Sequence, residues 1–213
     1  MNKFSGYDSV EVNDFGEREK LELGGHYCKI LKVKIDTVTT KEQRKFDVLV
    51  LDIDICEPDA QAGFYQRRFA QDAQKDAMTA KWKGTYRVNV PDDNSTDEQK
   101  SRFKTFTTCI EKSNSGYVWN WEENTLVGKK FIGVFGLEEF TLPSDGRTIT
   151  FTRCRFARST EADITKISIP KVKLLDGSYV DYEDYKSNKV NGNDNNNKNT
   201  TNEFEGSSDD LPF

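Results

Sequence analysis

"RKFDVLVLDIDIC", Arg44 to Cys56, is the stretch that decides the fold. Apolar residues recur at every second position, so Leu49, Leu51, Ile53 and Ile55 fall on one side while Val48, Val50, Asp52 and Asp54 fall on the other. A period of two belongs to an extended strand, whose successive side chains leave opposite faces. Upstream, Tyr27 to Val38 alternates in the same way, with Tyr27, Lys29, Leu31, Val33 and Ile35 set against Cys28, Ile30, Lys32 and Lys34. "TVTTKEQ" between the two runs is short enough for a hairpin loop.

Working outward, "GTYRVNV" (Gly84 to Val90) reads as a third strand ended by Pro91, which cannot donate to a ladder. A helix follows in "DDNSTDEQKSRFKTFTTCIEKSNSG": Ser95 or Thr96 can cap it, Asp97 and Glu98 suit its N-terminus, and Phe103, Phe106, Thr107 and Ile110 recur at helical spacing. Two further strands, "KKFIGVFGLEEF" and "RTITFTRCRFARS", flank the turn "TLPSDG", and "KVKLLDGSYVDY" is a last hairpin turning at Asp176-Gly177. The predicted fold is mainly β with one or two helices, in the order of a five-stranded OB-fold barrel with insertions, its helix lying between strands three and four.

The chain divides into a body, residues 1-185, and a tail, residues 186-213. The tail, "KSNKVNGNDNNNKNTTNEFEGSSDDLPF", has too little apolar area to offset an ordering cost of about 1 to 2 kcal/mol per residue, so it is expected to be disordered. Its end differs in kind. Phe213 joins a ring to a terminal carboxylate, Pro212 restricts the backbone, and Asp209, Asp210 and Leu211 complete a tip suited to a hydrophobic pocket with a basic rim. The tail would serve as a tether for a captured partner.

The chain carries a formal charge of -5 and a pI near 5.2, with no apolar run of membrane-spanning length. Without a hydrophobic stretch near its N-terminus, a cytoplasmic protein is expected. Cys28, Cys56, Cys109 and Cys154 are isolated, and His26 is the single histidine, so no zinc spacing exists and neither metal nor other cofactor is expected. His26 itself reads as a strand residue.

Positive charge and aromatic rings coincide in two segments. Phe64 to Arg87 contains Arg67, Arg68, Lys81, Lys83 and Arg87 with Trp82 and Tyr86, and Arg147 to Ser159 contains Arg153 and Arg155 with Phe151. Cations answer the phosphates of a single strand and rings stack on its bases, at roughly 1 to 3 kcal/mol per base. These ten residues are the expected contacts for single-stranded DNA, held with little sequence preference. Trp119 and Trp121, beside Glu122 and Glu123, are assigned to the core. Two other readings compete. Asp52 and Asp54 could begin the metal site of a nuclease or other DNA-processing enzyme, although paired acids arise on any strand with a wet face. Alternatively, the chain could be a tail-mediated adaptor that does not bind DNA.

The tip "DDLPF" on an Asn-rich tail resembles the ends of bacterial and bacteriophage single-stranded DNA-binding proteins. The body resembles a group of phage and prophage members through "LELGGHYCKI", "GFYQRRF", "AKWKGTYR", "GYVWNWEENTLVGKKFIGVFGLEEF" and "CRFARS", over roughly Gly6 to Pro170. The resemblance implies a non-enzymatic OB body that coats single strands during replication, recombination or repair. It also implies that Asp209 to Phe213 recruit partner proteins. A homo-oligomer is compatible with this reading, and no membrane is involved.

Overall fold

A computed structural model describes residues 19–40 and 43–191, with side chains through 189. The acidic tip and the tail beyond 191 lie outside the described residues. The hairpin anticipated above is β1 (Gly24–Thr39) and β2 (Lys45–Ile55), followed by α1 (Phe64–Lys75), β3 (Thr85–Val90) and α2 (Asp97–Ser113). Then come β4 (Lys130–Thr141), β5 (Thr148–Arg158), the two-residue strands β6 (Val172–Lys173) and β7 (Tyr179–Val180), and α3 (Tyr182–Asn191).

The sheet is seven-stranded, in the order β3-β2-β1-β4-β6-β7, with β5 also paired to β4. All pairings are antiparallel except that of β4 with β6. β3 and β5 touch without forming a ladder, so the expected closed five-stranded barrel is instead a mixed, open sheet. Among the described residues three α-helices stand where one or two were expected, and α3 continues past the anticipated tail boundary at residue 186. No helix among the described residues is long and apolar enough to cross a membrane.

Leu49, Leu51, Ile53 and Ile55 turn inward together, as their alternation requires, and meet Tyr86, Val88, Phe131 and Phe135 in the core. β1 departs from strict alternation. A bulge between Ile30 and Lys32 inserts one residue against β2, so Ile30 and Val33, assigned to opposite faces by period two, are both buried, and Leu31 is left exposed. α2 closes one side of this core with Phe103, Phe106 and Ile110. Its N-terminus is a capping box: Thr96 accepts from the Gln99 amide, and the Gln99 side chain accepts from that of Thr96.

No local side chain caps α1, whose preceding residue, Gly63, sits at φ 76°. Its cap arrives from the sheet. Asp54, on β2, accepts from the amides of Tyr65 at 2.8 Å and Gln66 at 3.3 Å, and from its neighbour Ile55 at 2.9 Å. The carboxylate thus meets orphan donors where the helix dipole is positive. Burial nevertheless pushes the Asp54 carboxyl up, with the three N–H donors opposing that rise.

The chain returns from α1 to β3 beneath the Tyr65 ring. Gly84 lies so close that a Cβ there would fall 2.6 Å from that ring and inside contact distance of the Ile53 carbonyl oxygen. The Trp82 indole N–H donates to the carbonyls of Gly84 at 3.0 Å and Ile53 at 3.2 Å, fixing the same crossing.

Candidate functional site

The ten residues singled out as nucleic-acid contacts fall into two groups on different elements. The first lies on α1, β3 and the segment between them. Arg67 forks onto the Glu19 carboxylate at 2.8 Å, and Arg68 is buried with its guanidinium toward the Glu19 carbonyl. Lys83 pairs with Asp72 at 3.0 Å, both half-buried, and Arg87 approaches Asp36 at 3.7 Å. Lys81 is exposed. Tyr86 lies in the core, stacked on Phe131 with centroids 6.0 Å apart and edge-on to Phe106, so it offers no face to a base. Trp82 is partly buried against the core and tilted on Tyr65 and Phe69. In this group Arg67, Lys83 and Arg87 each sit beside a carboxylate, that of Asp36 being shared with Lys34.

The second group is built across four strands. Phe151 on β5 lies opposite Glu138 on β4, Glu138 opposite Lys173 on β6, and Lys173 opposite Tyr179 on β7. Paired residues in a sheet share a face. Arg153 reaches diagonally to Glu138 at 3.4 Å, and Lys173 donates to the same carboxylate. Arg155 stands at the irregularity where β4 passes from Val134 to Phe135. Its guanidinium lies 5.5 Å from the Tyr179 ring centroid and 3.4 Å from the Tyr179 hydroxyl. One of its terminal nitrogens, Nη1, is buried with no hydrogen-bond partner. Phe140 meets Phe151 edge to face at 6.4 Å.

Three cations therefore surround one buried carboxylate, flanked by Phe140, Phe151 and the exposed Tyr179. Burial alone would raise the Glu138 carboxyl. The Lys173 bond and the Arg153 and Arg155 charges overcome it and hold the group below the ordinary carboxylate range. The folded chain then binds fewer protons at Glu138 than the unfolded chain does. The resulting stability is complete above the unfolded carboxylate value and disappears as pH falls through the folded one. Glu138→Gln is expected to be the less stable protein at neutral pH and to lose less on acidification, as melting temperatures across that range would show. Parallel profiles for the two proteins would contradict this account.

Sequence pattern did not reveal Lys173, Tyr179 or Glu138 as members of this face, because β6 and β7 are two residues long and join β4 only through the tertiary fold. The pair Asp52 and Asp54 does not form an open carboxylate site, since Asp54 is buried and receives three backbone N–H groups. Among the described residues no group of three or more His, Cys, Asp or Glu side chains is arranged to hold a metal ion. Trp119 packs against the core as expected; Trp121 is not buried in it but stands 68% exposed, its ring stacked on the core residue Phe103.

Comparison of the chain with family models and with curated proteins finds no match.

Proposed function

We propose that this chain binds single-stranded DNA without catalysing a reaction on it, and that the β4–β7 face is the principal contact. The observation that carries this reading is the excess of positive charge there: Arg153, Arg155 and Lys173 share the single carboxylate of Glu138 beside the rings of Phe151, Phe140 and Tyr179. Phosphates match the excess charge and bases match the rings. An acidic chain as a whole weakens long-range attraction without cancelling a local contact, because mobile ions screen charges beyond about 10 Å at ordinary salt.

We read the sheet as an OB-type fold opened between β3 and β5. Its strand pairing, β3-β2-β1-β4-β5 with α2 between β3 and β4, follows that connectivity. The α1–β3 side, where Arg67, Lys83 and Arg87 sit against carboxylates, contributes the scaffold, with Lys81 exposed on it. Asp209 to Phe213 act as a hook for partner proteins of replication, recombination or repair.

Labelled oligo-dT titrated with the protein at several salt concentrations tests the reading. Binding is expected, with log K falling linearly as log salt rises. No binding at low salt would leave the adaptor alternative standing. Removing Asp209 to Phe213 is expected to leave oligo-dT affinity equal or slightly higher, since an anionic competitor is lost. A marked fall in affinity would contradict that division of labour.

A further inference from the structure

Phe131 and Phe135 on β4 point into the core, so Lys130, Ile132, Val134, Gly136 and Glu138 share its other face. Lys130 therefore stands on the same side of the sheet as the carboxylate of the β4–β7 site. The middle of that side is covered, because Ile164 and Ile167 converge with Ile132 over Gly25, and Pro170 lies over Gly136. β5 stays open beside it. Phe156, across from Val134, and Arg158, across from Ile132, are both exposed. The irregularity at Arg155 keeps them outward in line with Phe151 and Arg153, where strict alternation would have turned them in.

At the far end of this line the sheet sets like charges together. Lys29 on β1 is the direct partner of Lys130, and Arg158 stands one step along, diagonal to Lys130; all three are exposed. An ammonium facing an ammonium across an antiparallel pair destabilises it, and an anion between them reverses the sign. Among the described residues no carboxylate comes within ion-pair distance of Lys29, Lys130 or Arg158. Asp54, which faces Lys29 from β2, is committed to the α1 amides. Asp59, which acts on the Cys56 thiol together with both lysines, is held by His26 and by the amides of Tyr27 and Gln61. The β4–β7 site sets three cations against one carboxylate; this end sets three against none.

We propose that Lys29, Lys130 and Arg158 form a second phosphate-binding cluster, reached from the β4–β7 face along the outward side of β5, so that one strand of DNA occupies both. The inference rests on the reading of the β4–β7 face as a single-strand contact. Lys130 to Glu138 spans about 26 Å of β-strand, the length of about eight stacked nucleotides. A short strand fills only the first cluster, where the rings are, and a longer one reaches the second.

The combined variant Lys29→Gln, Lys130→Gln and Arg158→Gln, titrated with oligo-dT of five and of fifteen nucleotides at several salt concentrations, tests this. Affinity for the longer strand is expected to fall at least tenfold, with a slope of log K against log salt shallower by roughly 2, while affinity for the shorter one stays within twofold. Relief of the like-charge contact predicts a melting temperature no lower than that of the natural chain, which circular dichroism reads and which shows the variant to be folded. A natural chain that binds the longer strand no better than the variant does, with both binding it well, overturns this inference and leaves the proposed function standing. Equal losses for the two lengths overturn it as well, and so does a lower melting temperature, which would make the three cations part of what holds the fold. A natural chain that binds neither strand removes the proposed function and this inference together.

Discussion

Replacing Gly84 by alanine is expected to destabilise the protein by about 4 kcal/mol or more, which lowers the melting temperature by on the order of 10 °C in a chain of this size. The added Cβ would fall 2.6 Å from the Tyr65 ring and against the Ile53 carbonyl oxygen. Neither neighbour can yield at small cost. Tyr65 is in the core and its amide is held by Asp54, while the Ile53 carbonyl accepts from the Trp82 indole. Moving the chain at Gly84 would also break the bond from the Ile53 amide to the Gly84 carbonyl, 2.7 Å long, and the indole bond to that same carbonyl. The strain thus reaches α1, β2 and β3 together. Thermal denaturation followed by circular dichroism reads the effect. A melting temperature within a degree or two of the natural chain would mean that the α1–β3 crossing is looser than described.

The double replacement Arg153→Ala and Arg155→Ala is expected to weaken oligo-dT binding at least tenfold at low salt while leaving the fold intact. Both side chains lie on one face of β5, and neither belongs to the hydrophobic core. Each phosphate contact to a single strand contributes about 0.7 to the slope of log K against log salt, so losing two should make the slope shallower by roughly 1.4. Slope and affinity must change together, because a structural defect would lower affinity without a matched change in ion release. Glu138 keeps Lys173 as a partner in the variant, so a buried carboxylate is not left uncompensated. Unchanged affinity with an unchanged slope would remove this face from the proposed function.

Legibility in the sequence followed the range of the interactions. The β1–β2 hairpin, β3, β4 and β5 were readable because alternation is written in consecutive residues, and α2 because Thr96 and Gln99 make its cap within four positions. α1 was not readable for the opposite reason: its cap comes from Asp54, ten residues before its first residue and on another element. The bulge in β1 shifted the face of every residue beyond Leu31, a one-residue insertion that leaves no mark in an alternating pattern.

At the candidate site, the abundance of cations and rings was visible, yet their pairing was not. Arg67 and Arg87 meet Glu19 and Asp36 across 48 and 51 positions of sequence, outside the window from Phe64 to Arg87, so counting charges in it overstated their positive potential; Lys83 meets Asp72 inside it. Tyr86 looked like a stacking ring because it stands beside Arg87, and successive strand residues point to opposite faces. Arg153 and Arg155 were singled out from composition alone, whereas Lys173 and Tyr179 came to them only through short strands added to the edge of β4.

The remote cap on α1 also orders the assembly of the molecule. A helix of 12 residues is marginal in water by itself, and this one begins at an anion belonging to a strand. Its first turn becomes favourable once β2 has presented Asp54, so the hairpin is the template and the helix its dependent. Fraying of β2 near Asp54 would strip the cap from α1, so the two are expected to open together despite their different secondary structure.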